Sequence, residues 1–192
     1  MNAETTTPLA LYVDEFQKLS SLPTELALQR AAPLLVHLVN DPAFLEAEIL
    51  PLLEKTSGAG EDWYVAQSHE GEDRCFSLQV FVWPPSTRTR IHDHSSWGVY
   101  CCALGTVLEE RYERLDDGSR PDHANLKEIW QLAWSREDGA SSVLPHEGGI
   151  HRVGNPGDSP AISVHLYGPR IGEVDGRDYD VSRNYVCDRW ED

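Results

Sequence analysis

The sequence predicts a mainly β fold, a sandwich or barrel, preceded by an α-helical layer. Three observations carry this. Apolar residues recur every three or four positions at the start of the chain, the period then changes to two, and many short apolar runs follow, divided by turn-forming clusters and never by a helical pattern.

In the first part Leu9, Tyr12, Val13, Phe16 and Leu19 fall on one helical face, as do Leu28, Ala31, Ala32 and Leu35. Thr7 before Pro8, Thr24 before Glu25 and Asp41 before Pro42 each offer a side-chain oxygen to the unpaired N–H groups of a helix start. Proline at the first helical position gives up an N–H that has no partner there anyway. Three short helices are expected, ended by "SGAGED" at 57–62. Strands are then expected at about 62–68, 75–83, 88–94, 97–103, 106–114, 126–134, 141–144, 149–153, 161–167 and 183–189. Turn clusters such as "WPPS", "LDDGSRPD", "REDGA" and "NPGDSP" separate them. The length suits one domain, 1–192, with the helical layer over 1–56 and the barrel over 60–190.

Thirty-two Asp and Glu against sixteen Lys and Arg give a formal charge of −16. Such a field repels polyphosphate and anionic bilayers, so neither nucleic acid nor membrane is expected as a partner. It also opposes a small anion at long range, which would have to be captured by a local arginine. Cys75, Cys101, Cys102 and Cys187 form neither a CxxC nor a zinc-type spacing, and no disulfide framework is expected. With no basic leader and no run of about 18 apolar residues, the expectation is a soluble, cytoplasmic protein, a monomer or weak homo-oligomer.

"RIHDHSSWG" at 90–98 places His92 and His94 two apart near a strand end, so both project from one face, with Asp93 on the other. His151, in "EGGIHRVGN", comes from a separate short strand behind two glycines. Three imidazoles could meet inside a barrel. The competing reading is that each is a core histidine with ordinary hydrogen bonds, and HxH alone does not decide between the two.

The surrounding residues resemble the cupin superfamily. His92 and His94 match its first motif, with Gly98 where a glutamate ligand would stand and Gly105 where the motif glycine belongs. Gly139, Pro145, Gly148, His151 and Asn155 match the second motif with one extra residue after the proline. The resemblance implies a double-stranded β-helix, a jelly-roll barrel, in which His92, His94 and His151 bind one metal. Three neutral imidazoles would leave the metal's charge to be balanced by an anionic ligand, and would leave positions open for it and for dioxygen. Fe(II) is the expected cofactor.

"SVHLYG" adds Ser163, His165 and Tyr167 on a single strand face. Together with "HDHSSWG" and "IHRVGNP" it is similar to the thiol dioxygenase branch of the cupins, the cysteine dioxygenase and 3-mercaptopropionate dioxygenase family. That resemblance implies a Ser163–His165–Tyr167 relay beside a three-histidine iron, with a small thiol and O₂ as substrates and a sulfinic acid as product. Without the upstream histidines the same triplet would read as sheet residues satisfying one another.

The match is incomplete in two places. Members that crosslink a cysteine to the relay tyrosine carry it where this chain has Val99; Cys101 shares that parity one pair further on, and no crosslink is expected. Cysteine-selective members place an arginine where this chain has Ala66 or Gln67. The 3-mercaptopropionate branch resembles this chain in having Gln there, and implies substrate contacts from Gln67 and Arg177, with Arg170 and Arg90 as further candidates. A mercapto acid is therefore expected over L-cysteine. The alternatives are a cupin metalloenzyme of other chemistry and a non-catalytic ligand-binding cupin. Trp97, Trp130 and Trp134 read as core or cavity wall, Cys75 as a small buried residue, and "LEERYERLDDG" as a solvated acidic hairpin.

Overall fold

The computed structural model describes residues 8–53, 62–172 and 174–189. Thr7 and most of the expected break at 57–62 lie outside them. The helical layer consists of α1 (Ala10–Leu19), α2 (Thr24–Val39), and α3 (Pro42–Phe44), which continues through a π-helical turn (Leu45–Ile49) into α4 (Leu50–Leu53). Asp41 caps α3 as expected, its carboxylate accepting the Ala43 N–H at 2.8 Å. Thr24 does not cap α2: Pro23 holds that place, with no side-chain hydrogen bond, and Thr24 is already helical.

Eleven strands follow: β1 (Tyr64–Glu70), β2 (Ser77–Trp83), β3 (Ile91–His92), β4 (Gly98–Leu104), β5 (Val107–Arg114), β6 (Leu126–Trp134), β7 (Ala140–Val143), β8 (His151–Gly154), β9 (Ala161–Tyr167), β10 (Gly176–Asp180) and β11 (Tyr185–Arg189). They form two antiparallel sheets, ordered β1-β2-β9-β4-β7 and β11-β10-β3-β8-β5-β6. This is the expected jelly-roll barrel of two antiparallel sheets with its helical layer. Two strand expectations need correction. The run 88–94 shrinks to Ile91–His92, and an additional strand, β10, forms from "GRDYD", which is polar and lacks alternation.

The helices cover the outer face of the five-stranded sheet. Tyr12, Phe16, Leu35, Leu38 and Phe44 pack on Leu78, Val80, Val82, Val99, Cys101, Ile162, Val164 and Leu166. The alternate residues of the same strands point into the barrel: Phe81 and Trp83, Tyr100 and Cys102, and Ala161. Both faces of β9 are thus buried, and Ser163 and His165 lie on the inner one. Trp97 and Trp134 are buried, whereas Trp130, on the edge strand β6, is 41% exposed. Cys75 is only partly buried.

No described helix is long and apolar enough to cross a membrane. In the other sheet the ladder between β3 and β8 is a single pair, His92 opposite His151.

Candidate metal centre

His92, His94 and His151 converge. One nitrogen from each lies within 4.8 Å of the other two, and the three rings have centroids 4.7 to 5.3 Å apart. His92 Nδ1 lies 2.9 Å from the Arg90 carbonyl, which can only accept, so Nδ1 carries the proton and Nε2 is left with its lone pair. His151 Nδ1 likewise donates to the Glu109 carboxylate at 3.0 Å. His94 Nε2 and His151 Nε2 are 3.1 Å apart. Two nitrogens bound at right angles to one ion at about 2.1 Å would be separated by about 3 Å, so this pair already has the spacing that a shared cation requires. Burial, and then the neighbouring imidazoles, hold His92 and His94 well below the usual histidine range and therefore neutral.

Glu109 corrects the reading of its hairpin as solvated. It is fully buried, and it accepts from His151, from Arg111 Nε at 3.1 Å and from Ser141 Oγ. Burial pushes its carboxyl up, but the hydrogen bond from His151, the Arg111 charge and the hydrogen bond from Ser141 outweigh this and bring it down to about 2. The three imidazoles are therefore not the only groups facing a bound cation, since a carboxylate stands directly behind one of them. Its parity with the buried Val107 on β5 is the available sequence signal.

On the facing sheet a hydrogen-bonded chain runs toward the same space. Trp83 Nε1 donates to Ser163 Oγ at 2.8 Å, Ser163 Oγ lies 2.7 Å from His165 Nε2, and His165 Nδ1 lies 3.1 Å from the Tyr167 hydroxyl. Indole N–H can only donate, and His165 is neutral because burial pushes it down to about 3. One arrangement uses every group: Ser163 donates to Nε2, Nδ1–H donates to the Tyr167 oxygen, and the Tyr167 O–H remains to donate outward. Burial also raises the Tyr167 hydroxyl, which keeps its proton. The Tyr167 ring is 5.0 Å from that of His94. No local pattern signals Trp83 in this role, because the contact spans 80 residues.

One cavity of about 750 Å³ joins these groups, walled by His92, His94, His151, His165, Tyr167 and Trp83 among others. Two expected substrate contacts, Gln67 and Arg177, fall outside it. A β-bulge between Val65 and Gln67 inserts Ala66 and reverses the parity, so Val65 lines the cavity while the Gln67 amide turns to the helical layer and donates to the Glu48 carbonyl at 3.3 Å. Arg177 does not line the cavity. Its Nε and Nη2 hold the buried Asp93 at 2.9 and 2.7 Å, and its Nη1 reaches Glu147. Val99 and Cys101 face the helical core, and it is Gly98 that stands opposite Tyr167. A Cβ on Gly98 would lie 2.9 Å from the Tyr100 ring and 3.2 Å from that of Tyr167. Arg170 does line the cavity, 2.9 Å from Asp175; Arg90 is at its rim, 3.4 Å from Asp178. Arg189, absent from the sequence-based candidates, is there too.

Among solved structures, the TT1209 protein from Thermus thermophilus is 22% identical over 62% of this chain and 94% of its own, with a TM-score of 0.41. A Cupin 2 conserved barrel domain protein from Salinispora arenicola is 15% identical over 55% of this chain and 73% of its own, with a TM-score of 0.37. A recombinant oxalate oxidase in complex with glycolate is 16% identical over 59% of this chain and 54% of its own, with a TM-score of 0.44. The sequence pattern of the family described as cysteine dioxygenase type I matches residues 65–180, more than half of the chain, and takes in β1 to β10 with all three histidines and Ser163, His165 and Tyr167. This chain belongs to the cysteine dioxygenase type I family.

Proposed function

We propose that the protein is a non-haem Fe(II) thiol dioxygenase that converts a small mercapto acid, 3-mercaptopropionate in preference to L-cysteine, to its sulfinic acid. The observation that carries this reading is one cavity holding His92, His94 and His151 on one wall and the tyrosine end of the Trp83–Ser163–His165–Tyr167 chain on the other. The overall change is R–SH + O₂ → R–SO₂H. Both oxygen atoms become bonded to sulfur, sulfur is oxidised by four electrons, O₂ is reduced by the same four, and no external reductant enters. His92, His94 and His151 would hold a redox-active cation, which would supply the electronic link between a thiolate and O₂.

The remaining work belongs to the chain's own groups. The Tyr167 hydroxyl, kept protonated by burial and oriented by His165, donates a hydrogen bond to an oxygen atom at the reacting sulfur or to the substrate carboxylate. Phe81, Trp83 and Val153 give the cavity apolar walls that strengthen that hydrogen bond by excluding water.

Two features support a mercapto acid over an amino-thiol. β1 sends Val65 rather than an arginine into the cavity. Asp175 already accepts from Arg170 at 2.9 Å, and Asp178 from Arg90 at 3.4 Å. A substrate ammonium beside the Arg170 and Arg189 guanidinium groups of that cavity would meet like charge, whereas a carboxylate would meet opposite charge.

The test is anaerobic Fe(II) loading followed by a thiol panel under air, with O₂ uptake and sulfinate mass measured together. Sulfinate formed mole for mole with O₂, at a higher kcat/KM for 3-mercaptopropionate than for L-cysteine, is the expected result. Iron-loaded protein that makes no sulfinate from any thiol would overturn the reading, and a reversed order of the two thiols would overturn the substrate preference alone.

A further inference from the structure

Resting on that reading, we propose that Arg189, at the end of β11, is the residue that grips the substrate carboxylate. Its position points this way first. Arg189 pairs with Gly176 on β10, and directly opposed residues present their side chains on one face of a sheet. That face is turned to the metal-binding segment, because a Cβ built on Gly176 would lie 2.3 Å from the Asp93 carbonyl oxygen and 3.2 Å from the His94 Cα. Glycine lets that segment pack directly against β10, and the Arg189 side chain lines the cavity with His92, His94 and Tyr167.

Its bonding points the same way. Arg189 Nη2 is 3.6 Å from Asp175 and Nη1 is 3.8 Å from Asp178, both longer than a formed hydrogen bond, and Nε is buried with no partner. Arg177, by contrast, is locked on Asp93, and Arg90 is 81% exposed. A carboxylate has two oxygens that match the Nε and Nη donors of a guanidinium side by side, and would satisfy the N–H that the protein leaves without an acceptor. In a chain of formal charge −16, such a local cation is also what an anionic substrate requires.

The test measures binding apart from turnover. Anaerobic calorimetry on the Fe(II)-loaded protein compares 3-mercaptopropionate with cysteamine, a thiol of similar length without the carboxylate. Arg189→Gln is expected to weaken 3-mercaptopropionate binding by roughly ten-fold or more while changing cysteamine binding less than about two-fold, with iron content and Tm retained. Arg189→Lys should recover part of the loss, and Arg120→Gln, the same charge change on a distant hairpin, should bind both thiols as wild type does. In turnover the Arg189→Gln loss should fall on KM more than on kcat.

Unchanged 3-mercaptopropionate binding in Arg189→Gln would overturn the assignment. So would an equal loss for both thiols, which marks a structural role, or transfer of the whole effect to Arg170→Gln. Failure of the dioxygenase reading would look different: Arg189-dependent binding would persist under air with no sulfinate formed.

Discussion

His151 and Glu109 are bound ring to carboxylate: Nδ1 of the imidazole donates to Oε1 at 3.0 Å, in a place where the carboxylate has no contact with solvent. This bond fixes the tautomer that turns Nε2 toward the other two histidines, and it raises the donor strength of that nitrogen. Arg111 moderates the effect by sharing the charge of Glu109.

Replacing Glu109 by Gln keeps the shape and removes the charge. The expected result is a roughly 10- to 100-fold loss of Fe(II) affinity in competition with a chelator. His151→Ala should abolish binding at the same chelator concentration. Affinity equal to wild type in Glu109→Gln would deny Glu109 any influence on the centre.

Tyr167→Phe removes the one hydroxyl that the chain from Trp83 leaves free to donate into the cavity. Iron content should stay at the wild-type value while kcat falls by about 100-fold, the lower end of the range for a positioned proton donor. Ser163→Ala should fall less, since it frees His165 to reorient without removing the donor. Equal activity of Tyr167→Phe and wild type in an oxygen electrode would remove the relay from the mechanism.

Arg177, a substrate candidate on sequence grounds, lies instead beneath the metal segment. Asp93, between His92 and His94 in the chain, is fully buried and accepts from the Arg177 backbone N–H, its guanidinium and the Tyr179 hydroxyl. Taking away the guanidinium leaves a buried carboxylate short of a counter-charge, which costs about 3 kcal/mol. Arg177→Gln should therefore lower Tm by several degrees, and any rise in KM should be no larger for 3-mercaptopropionate than for cysteamine. A stable variant with a selective KM defect would restore Arg177 to the substrate site.

Cys101 and Cys102 lie buried on β4, and burial pushes both thiols up to about 12, so neither offers thiolate near neutral pH. Alkylation of the native protein should modify Cys75 and Cys187 first, with Cys101 and Cys102 reacting only on unfolding. Intact mass should equal that of the unmodified chain, with no two-hydrogen deficit shared by Tyr167 and a cysteine. The register gives the reason: Cys101 pairs with Val164 on the helical side, away from the tyrosine.

What can be read from the chain depends on distance along it. The change of apolar period from about 3.6 to two announces helices before strands, and the two-residue spacings of His92 with His94 and of Ser163, His165 and Tyr167 put each set on one strand face. Errors arise where parity is broken or set from afar. The single extra residue at Ala66 turns Gln67 outward, which no local pattern announces. Arg177 and Arg189 differ in fate because of Asp93, more than 80 residues from either, and because Gly176 lets the Asp93–His94 backbone close directly on β10. Glu109 is misread because a run of charges suggests solvent, although its alternation with Val107 places it inward.

The lone His92–His151 pair in the ladder of β3 and β8 has a mechanical meaning. One flank of the six-stranded sheet, β11-β10-β3, and the other, β8-β5-β6, adjoin where the ladder is narrowest, and the two rings there are both poised to clasp the same ion. A cation seated between them would act as a rivet across that seam, so that stripping it with a chelator should speed amide exchange around Ile91 and Arg152 before the helical layer loosens.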